Sequence, residues 1–302
     1  MKNLTLTALA LVALAVPATA ADWSDTSLGI RYGTNFQEPA NPESMSKTIM
    51  NFTHASGYSI GSNFFSIDLL NSSTIDPSNN AGSGAAWPKQ GAHEVYVSYK
   101  TNLSVAKAFD TKVDFGPVRG MDLTAGFDWA AKNTTFAPAV YKVLAGPTFN
   151  FKVPGFFNLS VLYYRERNHN AFGGFRAAIG GTPDVVFKST YQLAGAWGIP
   201  VKLGDVNSTA KGFFTYTGAK GKDGSAVETK PETLLRAYWM FDLSPALGTK
   251  KGTWQIGPGF EYWDNKFGDP TFATVAEANA SGTGGGVNPK TTCVMGALEV
   301  HF

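Results

Sequence analysis

Thr291-Thr292-Cys293-Val294-Met295-Gly296-Ala297-Leu298-Glu299-Val300-His301-Phe302 closes the chain, and it alternates. Val294, Gly296, Leu298, Val300 and Phe302 fall on one side. Cys293, Met295, Ala297, Glu299 and His301 fall on the other, because successive side chains of a strand point to opposite faces. An apolar side that ends on a terminal aromatic is how bacterial outer-membrane β-barrels finish. The stretch therefore predicts a strand with one face toward lipid and the other toward a polar lumen. Val300 and Phe302 are the expected membrane-assembly signal, through which the insertion machinery takes hold of this strand.

The other end of the chain fits an exported protein. Lys2 is a minimal positive region, Leu4 to Val16 is apolar but for Thr5 and Thr7, and Ala18-Thr19-Ala20 suits a signal peptidase. Residues 1–20 are expected to be a cleavable signal peptide, cut near Ala20-Ala21. Residues 21–302 are expected to be one barrel domain in the bacterial outer membrane. The apolar run is too short to cross a bilayer as a helix, and no cysteine follows the cleavage site to carry a lipid. A soluble periplasmic or secreted protein is the alternative.

Composition agrees. Charged residues make up 16% of the 302, aromatics 13%, and there are 33 glycines. Strands, tight turns and interfacial girdles use such a mixture. A formal net charge of +2 is too small to suggest a nucleic-acid partner. The single Cys293 has no partner for an internal disulfide.

Read at period two, the chain predicts twelve strands: about 26–36, 47–55, 62–70, 93–103, 121–130, 140–153, 156–167, 184–197, 207–217, 233–242, 253–264 and the terminal one. An even count lets an antiparallel sheet close without an edge, which lipid requires. With both termini periplasmic, connections after odd strands should be long. Asn71–Gly91, Asn168–Pro183, Gly218–Pro231 and Asn265–Lys290 are long and rich in Gly, Asn, Ser and Pro. Connections after even strands should be short, as at Ser56–Gly61, Val153–Gly155 and Ser244–Gly252. Ser104–Gly120 is too long and predicts an extra short element. Ala273–Ala280 suggests a helical turn, and Ser281–Gly286 a Gly-rich loop.

No motif for covalent chemistry emerges. Gly257-Pro258-Gly259 lies in a strand and carries a proline, which excludes a phosphate loop. His54, His93, His169 and His301 show no metal spacing, and His93 and Glu94 point to opposite faces. The chain is read as a non-enzyme with no cofactor and no metal.

Parity then names the lumen lining. Arg31, Asp68, Glu94, Lys100, Asp128, Lys142, Glu166, Lys188, Arg236 and Glu261 face inward, with the aromatics Tyr96, Tyr164, Phe213, Tyr238 and Trp263. On β-strand parity, Phe187 faces outward. So do Arg165 and Arg167, where lipopolysaccharide phosphates are one partner and plain strand-end exposure the other reading. Both charge signs appear in the lumen, so neither an anion nor a cation pore is implied. Rings beside hydrogen-bonding groups suit a flat, neutral, polar solute. A lumen plugged by its own side chains is the rival reading.

Trp23-Ser24-Asp25-Thr26-Ser27-Leu28-Gly29-Ile30-Arg31-Tyr32-Gly33-Thr34-Asn35-Phe36 resembles the start of the nucleoside-specific channel-forming outer-membrane family (Tsx-type and OmpK-like). Asn51-Phe52-Thr53-His54-Ala55-Ser56-Gly57, Asn63-Phe64-Phe65-Ser66-Ile67-Asp68-Leu69-Leu70 and Glu94-Val95-Tyr96-Val97-Ser98-Tyr99 strengthen the likeness. The resemblance is sharpest from Trp23 to Leu70 and beyond about Ala130 is one of architecture. It implies a monomeric twelve-stranded barrel that passes nucleosides by facilitated diffusion, with some members serving phages or colicins as receptors. Its expected partners are outer-membrane lipid and lipopolysaccharide, nucleoside-like solutes and the assembly machinery.

Overall fold

The structure, a computed structural model, describes residues 21–39, 41, 43–76, 91–271 and 290–302. The expected signal segment 1–20, the helical turn at 273–280 and the Gly-rich stretch 281–286 lie outside these residues.

Twelve strands form a closed antiparallel barrel: β1 (Trp23–Phe36), β2 (Met45–Tyr58), β3 (Gly61–Ser72), β4 (His93–Ser104), β5 (Val118–Lys132), β6 (Ala139–Phe151), β7 (Phe156–His169), β9 (Thr190–Leu203), β10 (Val206–Thr217), β11 (Glu232–Asp242), β12 (Trp254–Asp264) and β13 (Thr291–His301). Neighbours in the chain are neighbours in the sheet, and β1 closes on β13 with Leu28 opposite Val300 and Ile30 opposite Leu298. The three-residue β8 (Asp184–Val186) lies on β7 outside the ring. Every strand of the ring therefore has a hydrogen-bonded strand on each side, which is what hydrocarbon demands of a spanning sheet.

The alternation sorts the side chains as a lipid-facing barrel needs. On β1, Leu28, Ile30 and Tyr32 are exposed, while Ser27 and Arg31, of the opposite parity, are buried. On β13, Val294 is 70% exposed and its neighbours Cys293 and Met295 are 0% and 2% exposed. Leu235, Trp239 and Phe241 take the outer parity of β11 and Arg236, Tyr238 and Met240 the inner, with Trp239 exposed and Tyr238 and Met240 buried. Such a surface would be costly in water and suits hydrocarbon. Among the described residues, no helix is long and apolar enough to cross a membrane.

Short turns lie at the end that carries both termini. Gly155 makes one of them with φ +72°, and a Cβ there would stand 2.1 Å from the Gly198 carbonyl oxygen, so no other residue fits. The long Ser104–Gly120 connection holds the expected extra element. It is one helical turn, α1 (Val105–Ala108), begun where the Lys107 amide donates to the Ser104 hydroxyl.

Two expectations are corrected. The stretch from Asp184 to Trp197 is not one strand. Phe187–Ser189 leave the ladder, because the Phe187 amide donates to the Glu166 carbonyl and the Lys188 amide to the Lys220 carbonyl. Parity is lost across this break. Phe187, expected outward, is buried, and Lys188, expected in the lumen, is exposed.

The lumen is also not wet throughout. Phe36, Met45, Ile49, Tyr238, Met240, Cys293, Met295 and Ala297 form a buried apolar cluster inside the barrel, with Leu70 and Ile75 against it. Gly259 leaves room for it, since a Cβ there would come within 2.5 Å of the Tyr238 ring.

Candidate functional site in the barrel lumen

At mid-height four charged side chains meet. Arg31 Nη1 approaches Asp68 Oδ1 at 3.4 Å, Arg236 Nη1 approaches Asp68 Oδ2 at 3.3 Å, and Arg236 Nη2 lies 2.7 Å from Glu261 Oε2. Four strands separate β3 from β11 one way round the ring and six the other. The Asp68–Arg236 pair is therefore a chord across the lumen. Asn51 Nδ2 donates to Asp68 Oδ1 at 2.5 Å. The guanidinium of Arg31 lies 5.2 Å from the Tyr238 ring centre and that of Arg236 5.7 Å from Phe213. Two cations face two anions, so this layer is locally neutral.

A second group lines the wall formed by β4 to β7. Tyr96 donates to Asp128 Oδ2 at 2.8 Å, and the Lys142 ammonium sits 5.5 Å over the Tyr96 ring. Tyr164 donates to Glu166 at 2.5 Å, and Lys220 pairs with the same carboxylate at 2.6 Å while lying 4.3 Å over Phe187. That contact explains why Phe187 turns inward.

The mouth away from the termini is drawn together by loop charges. Glu38 accepts from Lys47 at 2.5 Å and from Lys266 at 3.0 Å, with Lys132 at 3.8 Å. Lys132 also pairs with Asp76 at 2.6 Å, and Lys47 lies 3.8 Å from Glu94. Lys266 reaches inward because Asn265 (φ 48°) and Phe267 (φ 61°) on either side adopt the left-handed conformation. It then lies 4.5 Å over Trp263, whose indole N–H donates to Glu232 at 2.6 Å. Burial raises the Glu38 carboxyl, but the three ammonium groups outweigh it and hold it well below the usual carboxylate range.

The termini end is more open. A cavity of about 420 Å³ there is lined by Pro200, Lys202, Thr209, Met240 and Gln255 among others. Nearby, Lys211 pairs with Glu299, and His301 joins Glu299 at 3.3 Å to Asp25 at 3.0 Å.

Of the lining residues expected from parity, Arg31, Asp68, Phe213, Arg236, Tyr238 and Glu261 come together in the middle layer. Tyr96, Asp128, Tyr164 and Glu166 form the second group, and Glu94 and Trp263 join the loop-charge mouth. Lys100 stands apart, in register with Phe64 and Gly126, and Lys188 lies outside the strands. Strand parity had no means of finding Glu38, Asp76, Lys220 and Lys266, because all four sit in loops. Lys47 and Asn51 did carry a signal, the inward parity of a strand whose pattern is weak. Among the described residues, Arg31 Nε, Asp128 Oδ1 and the Tyr238 hydroxyl are buried without a hydrogen-bond partner. Groups in that state favour a solute or water that can complete them. Among the described residues no cluster of His, Cys, Asp and Glu could hold a metal ion.

No protein-family model matches the chain, and no curated protein matches it by sequence. Among solved structures it is similar to the translocator domain of the autotransporter NalP from Neisseria meningitidis, at 11% identity over 98% of this chain and 93% of that one, with a TM-score of 0.46. It is similar to an outer-membrane channel from Pseudomonas putida F1, at 10% identity over 95% and 99%, TM-score 0.44. A third is the anion-selective porin from Comamonas acidovorans, at 13% identity over 93% and 99%, TM-score 0.33. All three are outer-membrane barrels, and the fold of this chain rests on its own strand register.

Proposed function

We propose that the barrel is a passive outer-membrane channel through which small, flat, uncharged polar solutes of the nucleoside kind diffuse. The observation that carries this reading is the pairing of inward aromatic rings with groups whose hydrogen bonding is incomplete. Tyr238 lies under Arg31, whose Nε has no partner among the described residues, and Tyr96 donates to Asp128, whose Oδ1 has none among them either. A flat solute stacks on a ring and exchanges its water hydrogen bonds for these. Each stack is worth about 1–3 kcal/mol, weak enough for release and strong enough for preference. On this reading the protein works as a monomer, without covalent chemistry or an energy source.

The chord between Asp68 and Arg236 and the loop-charge mouth favour a second reading, a receptor or structural barrel with a closed lumen. Planar-bilayer recording separates the two. A channel gives small unitary steps that adenosine and thymidine block and glucose does not. Absence of any conductance supports the closed barrel and overturns the channel.

A further inference from the structure

Charge is confined to the lumen along most of the barrel, and β7 breaks the rule. Its outward row runs Phe157, Leu159, Val161, Tyr163, Arg165, Arg167. Both arginines are exposed. The outward rows beside them, from Tyr141 to Phe149 on β6 and from Tyr191 to Trp197 on β9, carry no charge. The register sets Val143 beside Arg165 and Tyr141 beside Arg167, and pairs Tyr163 with Tyr191. The Tyr191 ring lies 6.2 Å from that of Tyr216. Tyr141, Tyr163, Tyr191 and Tyr216 thus form a local girdle, and such rings settle where hydrocarbon gives way to headgroups. Both arginines lie beyond Tyr163 in the direction away from the termini. The Arg167 guanidinium rests 5.0 Å over Tyr141. Neither arginine forms an ion pair among the described residues, and the nearby Asp184 carboxylate is taken by His169 at 2.8 Å.

We propose that Arg165 and Arg167 form a binding site for the phosphates of an outer-leaflet phosphorylated glycolipid. The two guanidinium forks belong to alternate residues, whose Cα atoms stand about 7 Å apart along the strand. Each matches a phosphate with two parallel hydrogen bonds. The tyrosines beside and beneath them receive the acyl chains and fix the headgroup at the height of the arginines. The site is independent of what passes through the lumen, because its side chains point the other way.

The test uses the full mature barrel in detergent micelles, titrated with a bis-phosphorylated glycolipid, the same lipid stripped of phosphate, phosphatidylglycerol and inorganic phosphate. Native mass spectrometry reads the bound lipid. The wild type binds the bis-phosphorylated lipid saturably and the other three at least tenfold more weakly. Arg165→Gln with Arg167→Gln loses about tenfold or more in affinity for it, as the removal of charge-assisted hydrogen bonds implies. Resistance of the variant to heat-induced unfolding on a gel shows that it folds, and Arg165→Lys with Arg167→Lys serves as the variant of unchanged charge should the glutamine pair fail to fold. Equal binding by wild type and glutamine variant, or by the lysine variant where that replaces it, overturns the proposal. So does equal binding of the stripped lipid or of phosphatidylglycerol.

Discussion

Asp68 on β3 and Arg236 on β11 meet at 3.3 Å across the barrel, so two walls of the lumen are held to each other by a single ion pair. The pair sits in a balanced layer with Arg31 and Glu261, and the balance predicts the ion preference. Asp68→Asn leaves two guanidinium groups facing one carboxylate. The reversal potential in a salt gradient then moves toward that of chloride. Arg236→Gln moves it toward that of potassium. Each change leaves a buried charge short of its partner and lowers stability by about 3–5 kcal/mol, which a denaturant titration of the folded barrel measures.

On the channel reading, Tyr96 and Tyr238 are the rings that stack a solute. Replacing both by alanine removes stacking worth about 1–3 kcal/mol at each. Block of the channel current by adenosine then weakens about tenfold or more, while the unblocked current persists. Unchanged block means the solute contacts other groups.

Glu38 binds loop to wall, and its ionisation sets an acid limit. Its folded-state carboxyl titrates well below the usual range because three lysines outweigh its burial. The unfolded value is about 4.3. Between these two values the unfolded chain holds the extra proton, so stability falls as pH drops through that window and is level above it. The part of the loops' protease resistance that Glu38 supplies is therefore constant from about pH 7 to 5 and declines below about pH 4. Glu38→Gln makes the loops cleavable at pH 7.

Asp269 acts in the opposite sense. Burial, and then the facing Asp223 carboxyl, push its carboxyl well above the usual range. The unfolded value is about 3.9. Here the folded chain holds the extra proton, so stability declines as pH rises from about 4 toward the raised value. Asp269→Asn removes that decline, and the unfolding midpoint followed across pH shows whether it does.

The barrel was legible in the sequence because lipid on one side and lumen on the other impose a period of two, and each of the twelve expected spans overlaps a barrel strand. The eighth failed in detail where Phe187–Ser189 leave the strand, Phe187 bonding the Glu166 carbonyl of β7 and Lys188 the loop carbonyl of Lys220. Parity has no meaning across such a break, and Lys188 and Phe187 were exchanged by it. The middle of the candidate site was legible for the same reason as the strands, since Arg31, Asp68, Arg236 and Glu261 sit at inward positions of clean strands. The mouth was not. Glu38, Asp76, Lys220 and Lys266 belong to loops, where side-chain direction follows local backbone such as the left-handed pair around Lys266. Lys47 and Ile49 on β2 were obscured because that strand faces the apolar cluster of Phe36, Met45 and Met295, so its inner row mixes charge with hydrocarbon.

The most direct test places a spin label in turn at each position from Leu235 to Phe241 of β11, in a Cys293→Ser background reconstituted in lipid. Oxygen, which concentrates in hydrocarbon, and a water-soluble nickel chelate report the surroundings of each label. The account predicts a period of two, with oxygen contact high at 235, 237, 239 and 241 and low at 236, 238 and 240. Oxygen contact without that alternation, or highest at 236 and 238, contradicts it.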